Sequence, residues 1–253
     1  MSAVLTEFAD GVAVITINRP EAKNAVNLEV SEGIAAAIDE LESRDDLTIG
    51  ILTGAGGTFC AGMDLKAFAR GEVVSLEGRG FGGLTEAPPT KPLIAAVEGW
   101  ALAGGCELAL SADLVVAAND SKFGIPEVKR GLGAAAGGLL RLPKILPYQL
   151  AMELALTGDP LTAARAHQFG LVNRITEPGE ALAGARELAA AIAANGPLAV
   201  RATKQVMSTA IRYTDPDLFK KQWDFLGPVF ASDDAKEGAI AFAEKRAPRW
   251  TGK

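Results

Sequence analysis

Two glutamates stand out because their neighbours are apolar or turn-forming rather than polar. Glu107 follows Gly104 by three positions, which places it in the first turn of a predicted helix. Glu127 follows Pro126, whose ring fixes the backbone beside the carboxylate. The chain between them is long enough to return to one pocket, where a carboxylate pair would suit proton transfer through a shared water. The alternatives are a helix-terminal charge for Glu107 and a surface turn residue for Glu127.

Two segments share a local pattern in which an apolar strand runs into glycines and then into a helix start. Residues 51–66 include Gly62 and Met63, and residues 95–108 include Gly104. The first N–H groups of a helix have no partner within it, and the helix dipole adds partial positive charge. Because glycine lets a ligand approach the backbone, we expect each junction to offer an amide to a developing oxyanion. The alternative is that these glycines serve only turns and close packing.

Other common chemistries do not match the sequence. A dinucleotide fingerprint starting at Gly54 needs Gly or Ala at the position of Phe59. A phosphate loop ending at Gly62 needs Lys next, where Met63 stands. Metal clusters and serine triads need histidine, and the single histidine, His167, lies in a helical context. The sequence therefore predicts no metal site and favours acid–base chemistry by carboxylates.

The elements that must position these residues alternate between strand and helix, which predicts an α/β fold. Short apolar runs predict strands at residues 4–8, 12–17, 49–53, 93–97 and 114–118, the first two paired as a hairpin. Asn27 caps a helical pattern of apolar residues that recur every three or four positions. Further helices are predicted at residues 150–156, 162–169, 180–194, 197–211 and 215–229, with one short strand at 170–175.

Composition narrows the class of protein. The chain has 253 residues, of which 49% are hydrophobic and 22% charged, as in globular domains. A net charge of −6 argues against a nucleic-acid or anionic membrane surface. Cys60 and Cys106 lie in apolar, Gly-rich stretches, which indicates buried thiols in a reducing compartment. Glu7 and Asp10 stand where a signal peptide would be apolar, so we expect a cytoplasmic protein. Glu98, Glu107 and Asp113 interrupt the most apolar stretch, residues 92–118, so we expect no membrane span.

Several motifs in order along the chain resemble the enoyl-CoA hydratase/isomerase, or crotonase, superfamily. They are NRPEAKNA at 18–25, FCAGMDL at 59–65, GGCEL at 104–108 and FGIPE at 123–127, with further similarity at 232–238 and 242–246. The resemblance implies a crotonase-like spiral of ββα units over residues 1–195 and a C-terminal helical trimerisation region over residues 196–253. It also implies an acyl-CoA thioester substrate, no cofactor beyond the coenzyme A of that substrate, and a homotrimer or a hexamer built as a dimer of trimers.

The same resemblance implies roles for individual residues. The amides of Met63 and Gly104 would form an oxyanion hole for the thioester carbonyl. Glu127 would protonate C2, and Glu107 would orient the water that adds at C3. Substrate-binding positions would be Lys23, Ala25, Ala61, Asp64, Leu65 and Ala135, joined from a neighbouring subunit by Phe242 and Lys245. The Gly-rich segment 67–89 is expected to border the acyl pocket.

Three positions depart from the pattern of the superfamily and bear on the reaction. Ala103 stands where many members have a third glycine, Ile125 where many hydratases have Gln, and Ala135 where a glycine amide often helps to hold the water. The presence of both acids favours reversible hydration of a trans-2-enoyl-CoA. One alternative is isomerisation, although isomerases of the superfamily typically keep only the acid matching Glu127. A second is a carnitinyl-CoA dehydratase-like reaction, because residues 137–147 resemble that subgroup. A third is a non-catalytic acyl-CoA binding protein.

Overall fold

The computed structural model describes residues 2–211, 227 and 230–249, with strands and helices alternating along the chain. The strands are β1 Val4–Ala9, β2 Val12–Ile17, β3 Ile49–Gly54, β4 Ser75–Leu76, β5 Gly80–Phe81, β6 Leu93–Val97, β7 Trp100–Leu102, β8 Leu114–Ala118, β9 Lys122–Gly124, β10 Leu161–Thr162 and β11 Arg174–Thr176. The helices are α1 Leu28–Ser43, α2 Leu65–Ala69, α3 Gly104–Ala109, α4 Gly138–Ile145, α5 Tyr148–Thr157, α6 Ala163–Gln168, α7 Ala181–Ala193, α8 Pro197–Ile211 and α9 Asp233–Ala243. Short 3₁₀ turns cover Pro20–Ala22 and Pro126–Arg130.

The main sheet has the strand order β1-β2-β3-β6-β8-β11. Strand β1 runs antiparallel to β2 and forms the predicted hairpin, whereas the remaining neighbours are parallel. The register places Ile51 of β3 between Val14 of β2 and Ile94 of β6. Because parallel neighbours end at the same edge of a sheet, the segments that follow β3 and β6 both begin at that edge.

Helices cover both faces of this sheet, as its nearly continuous apolar strands require. On one face, Ala185 and Ala189 of α7 join a buried cluster with β-branched residues of β2, β3 and β6. On the other face, Ile34 and Leu41 of α1 pack into the larger core. Strands β3 and β6, which lead into the candidate site, are therefore packed on both faces.

A second layer extends the chain beyond the main sheet. Strands β7 and β9 run parallel, and β10 joins β9 antiparallel. The loop after β3 adds to this layer, because the Cys60 N–H donates to the Trp100 carbonyl at 2.9 Å and the Leu102 N–H donates to the Cys60 carbonyl at 3.0 Å. The path β6, β7, α3 is a main-sheet strand, a second-layer strand and a helix, which confirms the predicted ββα spiral.

Several sequence predictions at the level of elements are confirmed, and one is wrong. The Asn27 side chain accepts the Val30 N–H at 3.1 Å and caps α1, as predicted. The strand predicted at 170–175 instead spans Arg174–Thr176. The preceding residues form a turn, in which the Leu171 and Val172 N–H groups both donate to the Ala166 carbonyl.

Two further predictions concern the C-terminal region. The helix predicted at 215–229 lies outside the described residues except for residue 227. A break between α7 and α8 falls where the domain boundary at residue 195 was predicted, and the boundary stays a prediction. Within the part of the chain that the structure describes, every helix is too short or too polar to span a membrane.

Candidate active site

A cavity of about 840 Å³ opens beside the loop after β3, the start of α3 and the 3₁₀ turn Pro126–Arg130. This volume lies within the range of small-molecule sites, roughly 300–1,000 Å³. The cavity wall includes most of the residues that the sequence predicts as site residues: Met63, Gly104, Glu107, Glu127, Lys23, Ala61, Leu65, Ala135 and Phe242. Residues of the segment 67–89, among them Val74, Leu76 and Phe81, also line it.

The structure brings the two Gly-rich junctions together at this cavity. A Cβ placed on Gly62 would lie 3.2 Å from the Gly104 nitrogen and 2.7 Å from the Ala103 Cβ. Met63 forms a parallel bridge with Val26. Within the described residues, neither the Met63 N–H nor the Gly104 N–H donates to another atom of the chain. Two unpaired backbone donors therefore lie side by side in the cavity wall.

The two amides become available for different structural reasons. Gly104 is the first residue of α3, so its N–H is one of the unpaired donors at a helix start, as predicted. Met63 lies in an extended segment two residues before α2, where Asp64 is the N-cap. The prediction that a helix start presents the Met63 amide is therefore wrong. The bridge to Val26 orients it instead.

Close packing explains why glycine is needed at the second junction. A Cβ on Gly104 would lie 2.4 Å from ring atoms of Phe81, and a Cβ on Gly105 would lie 2.1 Å from the Cys60 carbonyl oxygen. Real Cβ atoms do not approach other atoms this closely. The packing and the functional interpretations of these glycines are thus compatible, since the same contacts hold the Gly104 amide at the cavity.

Ala103 precedes this junction in a backbone conformation that residues other than glycine rarely adopt. Its φ is 52° and its ψ is −129°, and its N–H donates to the Gly124 carbonyl at 2.8 Å. A residue other than glycine in such a region costs about 1–3 kcal/mol. The departure that the sequence shows here, alanine in place of a third glycine, therefore introduces backbone strain directly beside the Gly104 amide.

Glu107 is buried in the first turn of α3, with 2% of its surface exposed. Its Oε1 accepts the N–H of Gly138 at 2.8 Å. Burial raises the pKa of Glu107, and the Gly138 hydrogen bond and the positive charge of Arg141 offset part of that rise. The carboxyl therefore binds a proton more tightly than a solvated glutamate does.

Glu127 lies in the 3₁₀ turn and faces the same cavity. Its Oε2 is buried and has no hydrogen-bond partner within the described residues. Burial raises the pKa of Glu127, and the negative charge of Glu107 raises it further. Two such carboxyls titrate as a pair, and near neutral pH the pair can hold one proton while keeping one ionised oxygen acceptor. This is the arrangement that acid–base catalysis on one water needs.

Two predicted substrate-binding residues, Ala25 and Asp64, support the cavity wall from outside. The Arg19 guanidinium donates to the Ala25 carbonyl and forms an ion pair with Asp64 at 3.0 Å. Burial opposes ionisation of Asp64, but hydrogen bonds from Arg19 and from the amides of Ala67 and Lys66 outweigh it, so the Asp64 pKa is lowered. Arg19 thus fastens the segment that carries Lys23 to the Met63 segment.

Lys245 lies in a smaller cavity of about 280 Å³ against α9. Arg130 and Phe242 line both this cavity and the larger one. The Arg130 guanidinium stacks on the Phe242 ring, 4.8 Å from its centre. In this chain the Phe242 ring and the Arg130 guanidinium therefore meet at the boundary between the two cavities.

Sequence reasoning missed three residues that shape the site. Gly138 supplies the N–H that binds Glu107, a role that no motif in the sequence predicts. Arg141 is a buried cation close enough to affect Glu107, and its signal in the sequence is a lone charge within an apolar run. Phe81 covers Gly104, but no local pattern connects the two positions.

Cys60, Cys106 and His167 are not among the described residues that line the cavity. Cys60 and Cys106 are free and buried, as predicted, and burial raises the pKa of both thiols. The His167 ring is paired through Nδ1 with the Val172 carbonyl at 2.8 Å. Among the residues that the structure describes, His, Cys, Asp and Glu form no cluster of three that could hold a metal.

Comparison with known proteins assigns the family. The sequence model of the family "Enoyl-CoA hydratase/isomerase" matches residues 7–253. The chain belongs to this family. A member from Mycobacterium tuberculosis, named an enoyl-CoA hydratase, is 43% identical over 261 residues, which cover 97% of this chain and 95% of the relative. Another from Salmonella arizonae, named a carnitinyl-CoA dehydratase, is 43% identical over 248 residues and 94% of each chain.

Solved structures of family members agree with this assignment. An enoyl-CoA hydratase from Mycobacterium tuberculosis H37Rv shares 64% identity and a TM-score of 0.83, with all of both chains covered. A carnitinyl-CoA hydratase from Mycobacterium avium shares 43% identity and a TM-score of 0.96, again over all of both chains. The similarity in the family thus extends to members named for two related reactions.

Proposed function

We propose that the chain is an enoyl-CoA hydratase, a hydro-lyase that reversibly adds water to a trans-2-enoyl-CoA thioester. One observation carries the proposal: two carboxyls with raised pKa values and two unpaired backbone amides face the same cavity. Membership of the enoyl-CoA hydratase/isomerase family supports the same activity. This proposal gives each site residue a role in the reaction.

The Met63 and Gly104 amides would bind the thioester carbonyl oxygen. Addition at C3 moves electron density onto this oxygen and creates an enolate. Fixed N–H groups stabilise that charge more than they stabilise the neutral substrate, and losing one donor of an oxyanion hole typically costs about 10²–10³ in turnover. Their placement side by side, beside Gly62, supports this role.

The two glutamates would transfer the protons as water adds to the double bond. Glu107 accepts a proton from the water as the new C3–O bond forms, and its hydrogen bond from Gly138 fixes one carboxylate oxygen for this task. Glu127 donates its proton to C2, completing the addition across the double bond. Dehydration reverses each step. A raised pKa helps Glu127 to remain protonated near neutral pH.

The substrate would supply coenzyme A itself, so the proposal includes no separate cofactor. Lys23, Ala61 and Leu65 line the cavity on the side of the Met63 segment and would contact the coenzyme A arm. Val74, Leu76, Phe81 and Leu132 are apolar wall residues suited to the acyl chain. Of the other predicted residues, Ala25 and Asp64 would act by shaping this wall, and Phe242 with Lys245 would reach the nucleotide end of the coenzyme A bound by a neighbouring subunit.

We also propose that residues 1–195 form the catalytic core and that residues 196–253 mediate assembly into a homotrimer or a dimer of trimers. Val206 and Met207 of α8 support this, because they are apolar yet 69% and 57% exposed in the single chain. The molar mass from light scattering tests the assembly. The free thiols of Cys60 and Cys106 support the proposed cytoplasmic location.

A second candidate is dehydration of a carnitinyl-CoA-like substrate. It uses the same residues in the reverse direction, and the relatives named for that reaction favour it. Isomerisation is a weaker candidate, because it would leave Glu107 without a water to orient. A binding protein without turnover would not need a buried carboxyl pair, whose ionisation burial disfavours.

A substrate panel tests the proposal. Purified protein is incubated with trans-2-enoyl-CoA thioesters of graded chain length, and with crotonobetainyl-CoA, in water labelled with oxygen-18. We expect the enoyl absorbance to fall and the label to appear at C3. Binding without loss of absorbance would instead support the non-catalytic alternative, and rearranged product without label would support isomerisation. The Glu187→Gln variant, which removes an exposed charge from α7, serves as the control.

A further inference from the structure

A buried guanidinium contacts the wall of the cavity that contains the carboxyl pair. Arg141 is in α4 and only 5% exposed. It donates to the Thr85 carbonyl and, at 3.3 Å, to the Ala136 carbonyl. Thr85 follows the β4–β5 hairpin, which lines the acyl side of the cavity, and Ala136 lies in the cavity wall itself. Arg141 therefore joins two walls of the site that are distant in sequence.

The helix that carries Arg141 also supplies a hydrogen bond to Glu107. Gly138, in the first turn of α4, donates its N–H to Glu107 Oε1. The packing is tight, because a Cβ on Gly138 would lie 3.0 Å from the same oxygen. Residues three apart in a helix lie on one face, so a shift of Arg141 would displace the Gly138 amide as well.

Two charged groups act on Glu107, one from the 3₁₀ turn and one from α4. Glu127 faces it from the 3₁₀ turn as a second acid, and Arg141 faces it from α4 as a cation. Cys106, its neighbour in α3, is a buried thiol whose pKa is raised, and contributes no charge. In a site shielded from water, a cation near one of two acids favours ionisation of that acid over the other.

We propose that Arg141 is a positioning residue for the hydration step. It holds the start of α4 against the acyl side of the cavity, and its charge makes Glu107 the ionised member of the carboxyl pair. Glu107 can then accept a proton from water while Glu127 keeps the proton that it delivers. This inference rests on the proposed hydratase function. It assigns Arg141 no contact with the substrate.

A purely structural role predicts a different result. If Arg141 only ties the walls together, its loss would lower stability and turnover at every pH alike. If its charge also sets which acid is ionised, its loss must change the pH dependence of kcat/KM. The acidic limb of this profile reports the group that has to be ionised in the free enzyme.

The experiment compares Arg141→Gln, Arg141→Met and Arg141→Lys with the wild type in hydration of crotonyl-CoA. In the two neutral variants we expect the acidic limb to move to higher pH by about one unit or more, as loss of a nearby opposite charge does. Arg141→Lys keeps the charge and should restore the limb, with a lower kcat from the lost second hydrogen bond. The matched control is Arg186→Gln, which removes a cation on α7 that forms an ion pair with Glu7 of β1, away from the cavity.

The outcomes separate this inference from the proposed function. A wild type that does not hydrate crotonyl-CoA or the other thioesters contradicts the function itself. A wild type that hydrates, with an unchanged acidic limb in a folded neutral variant, contradicts only the role of Arg141. Either neutral variant suffices for this comparison if the other does not fold. In a Glu107→Gln background the shift should disappear, and its persistence would also contradict the inference.

Discussion

Replacement of Glu127 by Gln separates catalysis from stability, because the two should change in opposite directions. The substitution keeps the size of the side chain and removes a carboxyl whose Oε2 is buried without a partner within the described residues. As the proton donor to C2, this group should contribute about 10²–10⁴ to turnover. That loss corresponds to roughly 3–5 kcal/mol of activation free energy.

The stability effect follows from the raised pKa of Glu127. A carboxyl whose pKa is higher in the folded state binds a proton on folding. Its stabilising contribution is complete below the pKa of the unfolded chain, about 4.3, and is lost as pH rises through the folded pKa. The neutral glutamine avoids this loss. At alkaline pH the Glu127→Gln protein should therefore be more stable than the wild type, and the difference should vanish as pH falls towards 4.

The assay pairs turnover of crotonyl-CoA with thermal unfolding at about pH 5 and about pH 9. We expect kcat to fall at least about a hundredfold, and the Tm of the variant to exceed that of the wild type only at the higher pH. Glu187→Gln makes the same chemical change at an exposed site and should alter neither quantity. Near wild-type turnover, or a lower Tm at alkaline pH, would refute the reasoning.

Three further predictions test other parts of the site. Gly104→Ala should lower the free energy of unfolding by about 1–3 kcal/mol and reduce turnover, because the new Cβ would clash with the Phe81 ring. Chemical denaturation measures the first effect and kcat the second, and no change in either would contradict the close packing of Gly104 against Phe81. Ala103→Gly should raise the free energy of unfolding by about 1 kcal/mol by relieving a φ of 52°, and a lower Tm would show that no strain is present. The profile of kcat/KM against pH should be bell-shaped, with an acidic limb above the usual range of glutamate, since burial raises the pKa of Glu107 and Glu127; a flat profile would contradict this.

Much of the fold could be predicted from the sequence because local signals agree with the global structure. The β-branched runs of β2 and β3 form strands, and Asn27 caps α1 as its side chain and position suggest. The strand predicted at 170–175 failed for the same local reason, since its apolar residues are typical of a strand. Contacts with Ala166 hold the start of that stretch in a turn instead.

The candidate site could be predicted only in part. Glu107 and Glu127 were detectable because apolar and turn-forming neighbours surround them in the sequence. How Met63 presents its amide was not, because a bridge to Val26 orients it. The Gly138 amide and the Arg141 charge also escaped prediction, since each reaches Glu107 only after α4 has packed against α3. Such long-range contacts leave little trace in residue type or spacing.

A structure of the protein with bound 3-hydroxybutyryl-CoA tests the central claim most directly. The claim is that two backbone amides bind one thioester oxygen while two carboxyls face the reacting carbon atoms. We predict that the carbonyl oxygen lies about 2.7–3.1 Å from both the Met63 and the Gly104 nitrogen, with the 3-hydroxyl between Glu107 and Glu127. A carbonyl that contacts neither amide, or a hydroxyl remote from both acids, would contradict the account.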